Sequence, residues 1–275
     1  MKFEYTEKAP LILVETRLNN KGPFKFVVDT ASSVTVVGRK AAETIGIPQN
    51  SNSKTSGCCS SKMLAVGSVQ IGETNRTKVP IVLGNLSKLS EETGTRLDGI
   101  IGSPFMKNCE VTIDYPHKEV AFQEPRRNRR LPTKFVAVND VGFVVVDVEL
   151  NGKGPYSFLV DTGATKTVVA ERVGQELGLH AMNQERKALS GFFAGATMTL
   201  SKVESIRVGK AKSADVEVGV QDLQRLSSGI GMPLDGVLGY TFMKDYRVTI
   251  NYPEQALSFE RDEMPEIGSN AGEVK

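Results

Sequence analysis

FVVDTASSVTVV, residues 26–37, and FLVDTGATKTVV, residues 158–169, are one stretch written twice. Each is an apolar run of strand character, then Asp-Thr and two small residues, then a second β-branched run. Aligning Asp29 with Asp161 displaces the chain by 132 residues. The same displacement carries Phe3 onto Phe135, Leu18 onto Leu150, Lys21-Gly22-Pro23 onto Lys153-Gly154-Pro155, and Ile45-Gly46-Ile47 onto Leu177-Gly178-Leu179. Downstream, LDGIIGSPFMKNCEVTIDYPHKEVAF (97–122) returns as LDGVLGYTFMKDYRVTINYPEQALSF (234–259), now displaced by 137, so the second copy holds five more residues in between. The chain is a tandem duplication, and each half presents one aspartate in the same setting.

Reading outward from Asp29, residues 11–18 (LILVETRL) predict a strand, Asn-Asn-Lys-Gly-Pro a turn, and 24–29 the returning strand. A hairpin of this kind delivers the carboxylate at the tip of its second strand. VTVVGRKAAETIGI continues as strand and then as a short helix closed near Gly46. Residues 48–63 are polar, small and rich in serine, with 183–199 as their counterpart, and β-rich segments follow within 64–86. At 97–102 an apolar run is bracketed by glycines, the pattern of a strand threaded where backbones approach closely. A short helix through Phe105 and Met106 and a final strand-turn-strand through Tyr115-Pro116 complete the half. Residues 124–134, EPRRNRRLPTK, predict a charged linker between a first domain (1–123) and a second (135–262), and the last residues, 263–275, a disordered tail. Short strands punctuated by Gly and Pro, with few helices, argue for an all-β fold of two pseudo-symmetric lobes.

Composition removes several functional classes. A chain of 275 residues is long enough for two small cores, and a formal charge of +2 gives no electrostatic reason to expect nucleic acid. No apolar run approaches the ~18–20 residues of a membrane helix, and the opening MKFEYTEKAP lacks a signal-peptide core. Three cysteines, two of them adjacent at Cys58 and Cys59, make a poor disulfide framework. His117 and His180 stand far apart without ligand spacing, so neither zinc nor another metal is expected.

The pattern hydrophobic-hydrophobic-Asp-Thr-Gly-Ala/Ser, followed by hydrophobic-Asp-Gly-hydrophobic-hydrophobic-Gly, resembles the aspartic peptidases. The compact halves look like retropepsin-like (retroviral-type) subunits fused in one chain, and the likeness runs from Phe3 to Phe259. It implies closed β-barrel lobes of the retropepsin/pepsin kind with a cleft between them, and an endopeptidase that hydrolyses peptide bonds without a cofactor. Asp29 and Asp161 would be catalytic, with Thr30, Ala31, Ser32, Thr162, Gly163 and Ala164 supporting them. Thr30 and Thr162 would cross-link the two loops. The serine-rich stretch and its counterpart fall where the family carries flaps, which makes Gly57, Cys58, Cys59, Gly191, Phe192 and Phe193 candidates for substrate contact. Both carboxylates in one chain imply a monomer acting on a peptide or protein substrate. Relatives of this pattern are often exported, which leans the localisation toward an extracytoplasmic compartment. The competing reading is a peptide-binding module that kept the cleft and lost the chemistry.

Two departures carry expectations of their own. Ala31 replaces the usual glycine, and its Cβ and lost positive-φ freedom are expected to disturb the approach to Asp29. Ala164 replaces a common Ser or Thr, whereas Ser32 keeps the hydroxyl. A hydroxyl donor lowers a carboxyl pKa, so Asp29 is expected to ionise first, Asp161 to carry the proton, and Ala164→Ser to shift activity toward acid. Asp98 and Asp235, also paired by the repeat, predict structural acceptors for backbone N–H groups.

Overall fold

The structure, a computed structural model, describes residues 1–48, 55–56, 59–60, 63–126, 130–138, 142–180, 183–188 and 197–261. Strands dominate, with six short helices among the described residues. In each half six strands close into a barrel. In the first the ring runs Ile12–Leu18, Lys21–Val28, Gly99–Ile101, Thr35–Gly38, Thr74–Gly84 and Leu64–Ile71, which pairs back onto Ile12–Leu18. In the second it runs Phe143–Leu150, Lys153–Val160, Gly236–Leu238, Thr167–Ala170, Ala211–Gln221 and Thr197–Val208, closed by pairing of the last with the first. Closure leaves no free edge in either ring.

Local sequence explains the hairpins that lead to the aspartates. Ile12–Leu18 alternates between core and solvent along its C-terminal half, as a half-buried strand must. Its turn is Asn19-Asn20, with φ of 49° and 62°, and the second half uses Asn151-Gly152 with φ of 51° and 76°. Two positive φ angles are what a tight two-residue hairpin requires, and Asn and Gly supply them at least cost. The turn asparagines also accept from a neighbouring strand, Asn19 Oδ1 from Ser68 N at 3.0 Å and Asn151 Oδ1 from Ser205 N at 3.1 Å.

The glycine-bracketed runs thread through the loops they support. A Cβ on Gly102 would collide with the Val34 carbonyl oxygen, and one on Gly239 with that of Lys166. Both glycines donate to a buried threonine hydroxyl instead, Gly102 to Thr35 and Gly239 to Thr167. Asp98 accepts from Lys25 N (3.1 Å) and Asp235 from Ser157 N (2.8 Å), so each ties the glycine run to the strand that carries the dyad aspartate.

The lobes share a five-stranded sheet in the order Glu119–Gln123, Glu110–Asp114, Arg247–Asn251, Ala256–Glu260, Thr133–Lys134. Its centre is the antiparallel pair Glu110–Asp114 with Arg247–Asn251, where Thr112 lies opposite Thr249. Those two threonines are repeat equivalents, so the pseudo-two-fold axis passes between them. The stretch expected as a linker contributes its last residues, Thr133–Lys134, to this sheet as an edge strand. One apolar core of buried residues extends through both barrels and the shared sheet.

Two helices had no counterpart in the sequence reading, Ser87–Thr93 and Gln224–Ile230. Their signals were present. Asn85 Oδ1 accepts from Ser87 N and Asp222 Oδ1 from Gln224 N, while Gly94 (φ 68°) and Gly231 (φ 86°) end the helices in the left-handed conformation. The tail 263–275 lies outside the described residues.

Candidate active site

Each aspartate leaves the end of a barrel strand, Lys21–Val28 or Lys153–Val160, at the point where that strand pairs in parallel with the glycine run. Asp29 N donates to Ile101 O and Asp161 N to Leu238 O, both at 3.0 Å. The loop beyond is clamped from the other side, with Ser103 N donating to Ser32 O and Tyr240 N to Ala164 O, both at 2.9 Å. Both ends of each loop are thereby fixed to its own barrel.

The loops are then fixed to each other. Thr30 N donates to Thr162 Oγ1 and Thr162 N to Thr30 Oγ1, both at 3.1 Å. Each hydroxyl in turn donates across the lobes at 2.8 Å, Thr30 to Val160 O and Thr162 to Val28 O. Both threonines are buried, so removing either hydroxyl strands a buried N–H and a buried carbonyl at about 1–3 kcal/mol each.

This lattice brings the two carboxyls into a shared hydrogen bond. Burial pushes the Asp29 carboxyl up to about 6, opposed by the Ala31 N–H, by the bond from Asp161 and by the Ser32 N–H. Burial raises Asp161 further, the adjacent Asp29 charge adds to it, and the Gly163 and Ala164 N–H groups oppose. Two carboxyls this close cannot both ionise cheaply, so the pair holds one proton over the intermediate pH range and Asp161 is its carrier. Beneath them lie the repeat-related tyrosines Tyr115, which feels the Asp161 charge, and Tyr252, which feels that of Asp29. Both are buried and held neutral.

The expected disturbance at Ala31 does not occur. Ala31 N donates to Asp29 Oδ1 at 2.9 Å, as Gly163 N does to Asp161 Oδ1 at 2.7 Å. Neither residue has a positive φ, so the position never needed the freedom of glycine. The expected role of the Ser32 hydroxyl also fails. Ser32 Oγ donates to Val34 O at 2.8 Å, two residues along its own chain, and reaches no carboxylate. Asp29 is still the more acidic partner, for a different cause: it accepts the hydrogen bond that Asp161 donates.

The sequence profile of the aspartyl protease family matches residues 14–105 and 146–242, one span over each barrel. The chain belongs to the aspartyl protease family. Two solved structures are similar to this member of the family. A retropepsin-like aspartic protease from Rickettsia conorii is 18% identical over 42% of this chain and 82% of that one, with a TM-score of 0.31. Basic 7S globulin from soybean is 10% identical over 94% of this chain and 93% of that one, with a TM-score of 0.51. No curated protein matches the chain.

Of the flap candidates, Gly57, Cys58, Gly191, Phe192 and Phe193 lie outside the described residues. Cys59 is placed by its backbone alone, in the short strand Cys59–Ser60 that pairs with Gly84. The third cysteine, Cys109, is free and buried. Among the described residues no cluster of His, Cys, Asp or Glu is arranged to hold a metal, and no helix is long and apolar enough to cross a membrane. A surface hollow of about 760 Å³ lies between helices Glu171–Glu176 and Gln224–Ile230 and includes no residue of the dyad loops.

Proposed function

We propose that the protein is an aspartic endopeptidase in which Asp29 and Asp161 activate a water against a peptide carbonyl. One observation carries this reading. Two facing carboxyls, one from each lobe, with Asp161 buried and Asp29 partly open, share a hydrogen bond on loops that four cross-lobe bonds hold rigid. Ionised Asp29 takes a proton from water as the oxygen adds to the carbonyl carbon, and Asp161 gives its proton to the carbonyl oxygen. The resulting gem-diol collapses when Asp29 passes its proton to the amide nitrogen and Asp161 recovers one from a diol hydroxyl. The C–N bond breaks, acid and amine leave, and the dyad returns to its starting state. Each half supplies one carboxyl, so one chain suffices and the protein acts as a monomer, with lobes 1–123 and 135–262. Substrate lies extended across the cleft, paired through its backbone.

The alternative, a peptide-binding module without turnover, drew its force from Ala31. The intact Ala31 N–H bond to Asp29 weakens that reading. The deciding experiment is cleavage of a denatured protein mixture from pH ~3 to 9, with wild type, Asp29→Asn and Asp161→Asn side by side and pepstatin as a further arm. Because Asp29 must be ionised and its carboxyl is pushed up to about 6, kcat/KM should rise with pH through an acid limb near that value. Both variants should lose turnover by at least about 10³-fold. Cleavage that survives in either one ends the peptidase reading.

A further inference from the structure

We propose that the methyl group of Ala31 is a positioning element: it closes the solvent side of Asp161 and leaves Asp29 as the carboxylate that meets the attacking water. The proposal deepens the peptidase reading and rests on it. The two dyad loops make the same backbone bonds, so the Cβ of residue 31 and a Cβ on residue 163 occupy places related by the pseudo-two-fold axis. Built on Gly163, such a carbon would stand 2.9 Å from both Cγ and Oδ2 of Asp29 and 3.1 Å from Oδ1 of Asp161. On the other side of the axis that carbon is real. A Cβ at that distance would crowd the Asp29 carboxyl, so residue 163 is held to glycine, while residue 31 sets its methyl group on the Asp161 side.

Exposure follows the methyl group. Asp161 is 3% exposed beneath an Ala31 that is 5% exposed, whereas Asp29 and Gly163 both remain partly open. The hydroxyl difference between the loops does not account for this. The Ser32 hydroxyl, which Ala164 lacks, is directed to the Val34 carbonyl and away from the dyad. The titratable groups that face the pair are themselves matched. Asp161 is faced by Asp29 and Tyr115, and Asp29 by Asp161 and Tyr252. The tyrosines are repeat equivalents, and both are buried and neutral. Among the described residues that follow each Asp-Thr pair, the loops differ first by the methyl group at residue 31.

Sealing one carboxyl has a chemical consequence. The proton that polarises the substrate carbonyl must not exchange freely with bulk water before attack, and the base must be reachable by one water. An apolar group over Asp161 favours its neutral form, and the absence of a Cβ at Gly163 leaves Asp29 uncovered. With glycine in both loops the two roles would be interchangeable by symmetry.

The test uses the full chain with carbon-13 at the aspartate Cγ positions, assigned through Asp29→Asn and Asp161→Asn. The variants are Ala31→Gly, which opens Asp161, and Ala31→Gly with Gly163→Ala, which moves the methyl group to the Asp29 side. In Ala31→Gly the Asp161 titration should fall by about one pH unit, and the alkaline limb of kcat/KM should move acidward by the same amount. The paired variant should exchange the order in which the two carbons titrate. An Asp161 titration and alkaline limb that stay put in Ala31→Gly overturn the proposal, and this variant decides alone if the paired one does not fold. The titration separates the two claims. A wild type that cleaves nothing, with the Asp161 shift present, supports the sealing while the peptidase reading fails. A wild type that cleaves, with the shift absent, refutes the role of Ala31 and leaves the peptidase intact.

Discussion

Bond for bond, the loop around Asp29 and the loop around Asp161 match, while the base of each lobe does not. In the first lobe Arg76 donates to Cys109 Sγ at 3.2 Å and to Glu124 at 2.9 Å. The repeat equivalents of these three residues are Ser213, Tyr246 and Arg261. There the Tyr246 hydroxyl donates to Lys212 O at 2.8 Å and lies 3.0 Å from Ser213 Oγ, and the Arg261 guanidinium covers the tyrosine ring at 4.5 Å. A similar divergence separates Tyr5 and Tyr240, which pack edge to face at 5.7 Å, from their equivalents Ala137 and Ser103. The difference teaches where the fold is constrained. A lobe base can be filled by any set of groups that completes its packing and hydrogen bonds, whereas the dyad loops must meet their own mirror image across the axis. There one change of side chain strands a partner in the other lobe.

The shared sheet shows the comparison at its sharpest. Its central register sets Asp114 against Arg247 and Glu110 against Asn251. Arg247 donates to Asp114 at 2.8 and 2.6 Å, and Asn251 Nδ2 donates to Glu110 at 3.2 Å. Burial alone would raise Asp114, yet the His117 N–H and the Arg247 guanidinium hold its carboxyl below the ordinary value. Under the repeat, Glu110 is the equivalent of Arg247 and Asp114 of Asn251. Two copies of the first hairpin would therefore set Glu110 against Asp114 twice, a buried acidic pair at each end. The sheet is complementary only between unlike halves.

The largest expected effect comes from making the halves alike. Asn251→Asp installs the first half's residue against the fully buried Glu110 and should cost on the order of 3–5 kcal/mol of unfolding free energy at pH 7. In acid, where one of the two carboxyls takes a proton, most of that loss should disappear, because the repulsion needs both charges. Arg247→Glu does the same at the other end. The arginine side chain is 45% exposed, so its glutamate can swing into water, and the cost should be smaller, about 1–3 kcal/mol. Denaturant unfolding at pH 7 and in acid measures each. An Asn251→Asp protein as stable as wild type at pH 7 would show that charge complementarity does not hold the sheet.

Next in size is a test of sameness. Thr30→Val and Thr162→Val each remove one hydroxyl of the cross-lobe lattice and strand one N–H and one carbonyl. Each should cost about 2–4 kcal/mol, and the two losses should agree within error. Melting of the two variants in parallel measures this. Unequal losses would mean that the matched bond lengths hide different strain in the two loops.

How far the sequence discloses all this depends on the range of the contact. The doubled Asp-Thr stretch, the hairpin turns at Asn19 and Asn151 and the glycine runs were legible because each rests on local backbone geometry repeated at a fixed spacing. The helix Ser87–Thr93 was locally encoded too, by Asn85 and Gly94, but the apolar run through Leu83 and Leu86 concealed where strand stopped and helix began. The shared sheet was not legible. Its strands were, but the register that sets Glu110 against Asn251 joins residues 141 positions apart and leaves no periodic trace. The Ser32 hydroxyl failed for the opposite reason. Its competing acceptor, Val34 O, lies two residues away, and a local acceptor of that kind captures a serine readily.

That last point fixes the smallest expected effect, at the position where the loops differ by one hydroxyl. If a serine at residue 32 bonds the carbonyl two residues on, a serine at 164 meets the same geometry, with Lys166 O in the place of Val34 O. The backbone around the two sites agrees, since Ser103 N bonds Ser32 O as Tyr240 N bonds Ala164 O, and the added Cβ atoms of Gly102 and Gly239 would collide with Val34 O and Lys166 O in turn. Ala164→Ser should therefore donate along its own chain and leave Asp161 untouched. The pH profile of kcat/KM should stay within about 0.2 units of wild type, a shift worth less than about 0.3 kcal/mol. An acidward move of the alkaline limb would mean that the new hydroxyl turns to the carboxyl. Serine at 32 and serine at 164 would then be unlike, and the asymmetry of the dyad would rest on the hydroxyl as well as on the methyl group of Ala31.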